Sequence, residues 1–306
     1  MASGRSSTGA HTPAGRTVGG RARGAAPARG PLVRRRQRRS RRAGDGGSDL
    51  GARLLAAVPA IALALFLVIE GGAIFALGLF ALGCVCMHEL YGMFARAQPV
   101  RLAGFLALAG LLAAALYGDQ FQVLLVLVAT LPLLFVMTLL QPRPSAGGLS
   151  LTLLGIVWIG LALAHAVLLR GLPHGLGIVL DVLVGTFIGD TGAYFGGRLF
   201  GKRPLAPTIS PNKTVEGLVI GMVCTVLGVW IAGRYQEWLP GTHAIVLGIG
   251  VALVAPLGDL FESFLKREAR TKDSGGLFGA HGGALDRLDA VLFAAVVGYY
   301  IWSAYV

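Results

Sequence analysis

The ionisable residues of this chain crowd into one stretch, GDLFESFLKREARTKDSGGLFGAHGGALDRLDA. There Asp259, Glu262, Glu268, Asp273, Asp286 and Asp289 interleave with Lys266, Arg267, Arg270, Lys272 and Arg287. Carboxylates ligate hard cations such as Mg²⁺, which keep part of their water and bridge to phosphates. Lys and Arg neutralise phosphate oxygens. Helical spacing sets Asp259, Glu262 and Lys266 along one stripe, pairs Ser263 with Arg267, and puts Asp286 and Asp289 on a shared face. Two helix ends would then present carboxylates to one loop. Solvated charges at a bilayer surface are the plain alternative, but the density of acids and bases weighs against it. His281 stands in the His281-Gly282-Gly283 turn, where it could touch a phosphate, carry a proton or brace the turn. With no Cys in the stretch and a single His, zinc is disfavoured.

A second polar region runs from Gly189 to Gly217. Asp190 interrupts an apolar run, where a carboxylate costs about 2.5 to 3.5 kcal/mol on insertion scales and is read as functional by default. Gly196 to Lys202 fits the spacing of a phosphate loop, but Arg203 takes the place of the metal-binding hydroxyl and no strand precedes it. The paired spacings Gly185/Gly189 and Gly192/Gly196 instead suit close helix packing. In Ser210-Pro211-Asn212-Lys213-Thr214, Pro211 bars helix and Thr214 can cap the next one. Hydroxyl, amide and ammonium then meet at a helix N-terminus, which suits either phosphate binding or simple capping. Cys84, Cys86 and Cys224, odd in number and within apolar runs, read as small hydrophobes.

The elements that must hold these groups are membrane helices. Apolar residues make up 55% of the 306 positions and charged ones 14%, far from a soluble average. The net charge of +12 belongs to a tail: residues 1–53 carry 13 Arg against two Asp, which leaves about +1 for the rest. The tail lacks apolar periodicity and is expected to be disordered over residues 1–50, an anchor for anionic head groups. No aromatic residue interleaves with its arginines, so nucleic acid is not expected as a partner. Apolar runs near 54–69, 72–88, 102–117, 121–140, 150–169, 175–197, 214–233, 243–261 and 286–305 predict an all-α polytopic protein of about nine spans. They divide into N-terminal helices (51–170) and a catalytic region (171–306) with a cytosol-facing polar cavity. With the tail inside, twelve of the loop Lys and Arg fall on the cytoplasmic side and only Arg170 and Arg234 outside. Such loops would meet a cytosolic polyanion at the cell membrane. Trp238 and Trp302 near helix ends fit interfacial anchors.

Ser263-Phe264-Leu265-Lys266-Arg267, then Lys272-Asp273, Gly275, Phe278-Gly279, His281-Gly282-Gly283 and Asp286-Arg287-Leu288-Asp289 together resemble the signature of the phosphatidate cytidylyltransferases, the CDP-diacylglycerol synthases. The Asp190 and Ser210-to-Gly217 segments are similar to that family's other blocks. The likeness is strong over the C-terminal half, rests on hydropathy alone in the early spans, and excludes the tail. It implies CTP and phosphatidic acid as substrates, Mg²⁺ with a second cation conceivable, and products CDP-diacylglycerol and pyrophosphate. It further implies Asp259 and Asp286 as metal ligands supported by Asp289 or Asp190. Lys213, Lys266, Arg267 and Arg287 would hold phosphates, Ser210, Asn212, Thr214, Ser263 and Lys272 would bind substrate, and His281 would belong to the catalytic turn. Gly-lined helices would also suit a homodimer. A CTP-dependent lipid kinase would share spans and carboxylates but move the γ-phosphate. A transporter would show repeats and a midplane site, and no repeat is visible. Deleting residues 1–48 is expected to leave the turnover of membrane-inserted protein within about threefold of the full chain; a dead but inserted truncation would give the tail a role beyond anchoring.

Overall fold

The computed structural model describes residues 46–275 and 282–306, with side chains from residue 58 onward. The chain divides into two units, residues 1–52 and 53–306, and the fold below is that of the second. His281 and the other residues of 276–281 lie outside the described residues, as does most of the expected disordered tail.

The helices are α1 (Gly46–Glu70), α2 (Gly72–Met93), α3 (Arg101–Tyr117), α4 (Gln120–Leu139), α5 (Ala146–Gly155), α6 (Leu161–Gly171), α7 (Gly175–Phe200), α8 (Val215–Gly233), α9 (Gly241–Glu268) and α10 (Leu285–Ser303). A π-turn, Ile156–Gly160, joins α5 to α6 without a break. Strands β1 (Pro204–Ala206) and β2 (Ser210–Thr214) form a small antiparallel hairpin that pairs Pro204 with Thr214 and Ala206 with Ser210. Among the described residues the fold is therefore helical apart from this one hairpin, which an all-α expectation leaves out. The extended backbone that Pro211 enforces in its predecessor is used as a strand rather than a bare loop.

By length and composition, six helical stretches can cross a membrane: α2, α4, the continuous α5–α6, α7, α8 and α9. Each of the nine apolar runs coincides with a helix, but α3 and the described part of α1 are short. α10 carries Asp286, Arg287 and Asp289 in its first turns. α4 leaves Leu125, Val128, Leu131 and Phe135 exposed along its length. That much contiguous apolar surface is tolerable in hydrocarbon, not in water.

Local chemistry sets the helix ends. Asp119 and Gln122 make a reciprocal capping box at α4: Gln122 N donates to Asp119 Oδ1 at 3.4 Å and Asp119 N donates to Gln122 Oε1 at 2.9 Å, with Phe121 N also on Asp119 Oδ1 at 2.7 Å. Thr214 caps α8 by accepting from Gly217 N at 3.1 Å. The core runs through α2, α3, α5 and α6, where Met87, Tyr91, Leu108, Leu111 and Ile159 are fully buried. Trp158, in the π-turn, meets Phe261 of α9 edge-on at 4.8 Å and so couples the early helices to the site helix. Cys86 is buried and all three Cys are free, as expected for small hydrophobes. Trp302 is a correction: it is buried, its indole N–H donates to Pro173 O at 2.7 Å, and it packs on Trp238 rather than anchoring at an interface.

α7 crosses α8 closely. A Cβ at Gly192 would lie 2.7 Å from Cys224 Sγ and at Gly196 2.8 Å from Ile220; at Gly221 it would lie 2.8 Å from Ala193 Cβ and from Gly189 O. The backbones approach as closely as small residues allow. Gly221→Ala therefore forces a shift against backbone and is expected to cost about 1–3 kcal/mol by overpacking. Gly92→Ala, with nothing within 4 Å of the new methyl, should be neutral or stabilising. Thermal unfolding in detergent checks both, and equal behaviour of the two would remove this account of the crossing.

Candidate active site

α9 ends and α10 begins around a buried charge cluster. Lys266 Nζ donates to Glu262 Oε2 at 2.8 Å, one turn back on α9, and to Asp286 Oδ1 at 2.6 Å, in the first turn of α10. The other Asp286 oxygen accepts from Ser274 N at 3.1 Å, Ser274 Oγ at 3.0 Å and Gly283 N at 2.7 Å. Gly282, at φ 79°, turns the backbone in a left-handed conformation that aims the Gly283 N–H at Asp286. Glu262 is 1% exposed and its Oε1 has no protein partner, so one ammonium serves a buried carboxylate and a part-buried one.

Beside it lies a cavity of about 630 Å³ between α7, the hairpin, α8 and α9. Asp190, Arg198, Ser210, Asn212, Lys213 and Asp259 bring polar groups to its wall, and Gly189, Ala193, Met222 and Pro256 keep the rest apolar. Lys213 forms an ion pair with Asp259 across it. The hairpin that carries Lys213 is held at both ends: Glu216 Oε2 accepts from Lys202 N at 3.0 Å and Arg203 N at 3.1 Å, and Arg267 Nε donates to Ile209 O at 3.0 Å. Val215 N already donates to Arg203 O and Gly217 N to Thr214. The start of α8 is therefore largely closed by the chain's own groups, and side chains offer the free polarity here.

The structure thus brings Asp190, Ser210, Asn212, Lys213, Thr214 and Asp259 to one cavity, and Lys266 and Asp286 to an adjoining cluster. Asp289 is buried, accepts from Ala290 N at 2.8 Å, and lies within electrostatic reach of Asp259 and Asp190. Gly258 lets α9 touch the α10 backbone at Asp289, which keeps that carboxylate near Asp259. Ser263 is half-buried on α9, while Lys272 and Arg287 are exposed. Among the described residues no three His, Cys, Asp or Glu side chains converge to chelate a metal. The donors still fit Mg²⁺: Asp190 and Asp259 are hard oxygen ligands on the cavity wall, with Asp289 within electrostatic reach, and Mg²⁺ needs only one or two carboxylates plus water and phosphate.

Residue types and spacing did not nominate Ser274 or Glu216, and of Glu89, beside His88 at a span end, they say only that it could orient lipid or cap a helix. Glu89 is buried on α2, accepts from Ala284 N at 3.1 Å and Leu285 N at 3.0 Å, and lies 3.2 Å from Ser274 Oγ, whose single hydroxyl proton serves either Glu89 or Asp286 at any one time. Its one advance signal was a carboxylate inside an apolar helix.

A helical bundle with acids and bases of this kind around one cavity defines a phosphate-handling membrane protein, and the comparisons give it a family. Residues 51–305 match the cytidylyltransferase family, to which the chain belongs. It is similar to the phosphatidate cytidylyltransferase of Bacillus subtilis (strain 168), with 33% identity over 268 residues that cover 84% of this chain and 99% of the relative. The phosphatidate cytidylyltransferase of Staphylococcus saprophyticus is 31% identical over 252 residues, 79% of this chain and 94% of the relative. That of Helicobacter pylori (strain 26695) reaches 47% over 120 residues, 39% of this chain and 44% of the relative.

Lys266→Ala would leave Glu262 and Asp286 buried without their shared cation. Removal of one partner from such a cluster costs about 3–5 kcal/mol. A lower unfolding temperature in detergent, together with loss of at least about 99% of activity, is expected; a variant as stable as wild type would show that the ammonium is not what holds α9 to α10.

Proposed function

We propose that the chain transfers CMP from CTP to phosphatidic acid, giving CDP-diacylglycerol and pyrophosphate, in phospholipid biosynthesis. What carries this reading is similarity over nearly the whole length of a phosphatidate cytidylyltransferase. The cavity matches the chemistry. An anionic phosphatidate oxygen attacks the α-phosphorus of CTP; that P–O bond forms while the bond to the bridging α–β oxygen breaks, and the electron pair leaves with pyrophosphate. The attacking oxygen is already ionised, so no general base is needed. Positioning and charge neutralisation are what the protein must supply.

Lys213, on the cavity wall, and Lys266, Arg267 and Arg287 around it would hold phosphate oxygens. Ser210, Asn212, Thr214, Ser263 and Lys272 would orient the substrates, and His281 would join the catalytic set. Asp259, with Asp190 and Asp289 beside it, would hold Mg²⁺, and Asp286 completes the acidic set from the α10 side. When bound, the ion would neutralise charge on the triphosphate and the departing pyrophosphate. The apolar wall at Met222 and Pro256 suits a lipid that enters from the membrane.

The same reading places the protein in the cell membrane with α1, α3 and α10 added to the six longer stretches, nine crossings in all. The N-terminus and both charged loops would face the cytoplasm. A homodimer would have to use a face other than the glycines of α7, which α8 covers within one chain.

Purified protein with phosphatidic acid, Mg²⁺ and CTP labelled separately at the α- and γ-phosphates tests the reaction. Label from the α position is expected in the lipid, with pyrophosphate released. Transfer of γ-label with release of CDP would make the protein a lipid kinase instead, and transfer of neither would return the transporter reading.

A further inference from the structure

α10 has no cap of its own. The residue before it, Ala284, offers no side-chain acceptor, and helix N-termini leave backbone N–H groups unpaired. The acceptor comes from the other end of the chain. Glu89 Oε1 takes the Ala284 N–H at 3.1 Å and Oε2 takes the Leu285 N–H at 3.0 Å, across 195 and 196 residues. A carboxylate at that end is also favoured by the helix dipole. Glu89 Oε2 lies 3.2 Å from Ser274 Oγ, which lies 3.0 Å from Asp286 Oδ2. The loop is shaped to admit it: a Cβ at Gly275 would stand 2.6 Å from Glu89 Cδ, and at Gly283 2.5 Å. Glu89 is 8% exposed and Ser274 6%, so neither serves as a solvated surface group.

We infer that Glu89 is a positioning residue for the transfer reaction: it docks Ser274 and the Ala284–Leu285 start of α10 onto α2 and, through Ser274, fixes the orientation of Asp286. The role rests on the cytidylyl-transfer reading for its effect on rate, whereas the docking itself can be read without turnover. Groups that orient a charged site residue from behind typically matter by about 10- to 100-fold when replaced.

Glu89→Gln keeps the shape and removes the charge and one acceptor. In detergent with CTP, Mg²⁺ and phosphatidic acid, kcat is expected to fall about 10- to 100-fold, by the same rule, with KM for CTP changed less than about threefold. Amide hydrogen exchange in a peptide covering 282–288 should quicken at least about tenfold while the unfolding temperature shifts by only a few degrees. Ser274→Ala should also lower kcat, and the double variant should lose little more than Glu89→Gln alone, because the two act in one chain of bonds. Ser274→Ala reads the same chain from its other end if Glu89→Gln does not accumulate. Unchanged exchange, kcat within threefold of wild type, or a loss of rate that only follows the folded fraction would each overturn the role. Wild-type protein that fails to transfer CMP would sink the functional reading instead, and the exchange measurement would still judge the docking.

Discussion

One ammonium between a buried and a part-buried carboxylate sets the geometry of the C-terminal half. Lys266 is held by Glu262 from its own helix and by Asp286 from the next, so the pair fixes the rotation of α9 and its contact with α10 together. In a medium of low dielectric such a cluster is costly to form and more costly to break. That asymmetry makes it a rigid joint rather than a source of net stability. The loop between the helices is then tied to the joint by three donors on the free Asp286 oxygen, two from Ser274 and one from Gly283.

The second constraint is steric. The glycines of α7 bring it against α8 along most of its cytosolic half by the proposed orientation, and that contact leaves the hairpin little choice of position. Glu216 then grips the amides of Lys202 and Arg203, and Arg267 reaches from α9 to the hairpin at Ile209. Lys213 is delivered to Asp259 by this scaffold rather than by its own helix. Precision of that kind is what a phosphoryl-type transfer demands, since placement of charge contributes more than covalent help.

How much of this could be read from residues alone follows from sequence separation. The helices were legible because apolar runs of spanning length are a strong signal, and the i, i+4 pairing of Glu262 with Lys266 follows from helical spacing. The capping of α8 by Thr214 and the glycine contacts between α7 and α8 were likewise local patterns made visible. The hairpin was missed because its strands are three and five residues long, too short to carry an alternation that marks a strand.

Glu89 marks the limit of such reading. Ser274 lies 185 residues away from it, and no periodicity in either helix states that α2 touches the loop before α10. What the chain does state locally is a deficiency: Ala284 cannot cap α10. Buried helix ends must be satisfied by something, and an apolar bundle offers few acceptors. A carboxylate stranded in an early helix and an uncapped late helix are therefore two halves of one requirement, and that pairing explains why the N-terminal helices, which supply no residue of the signature, still bear on its geometry.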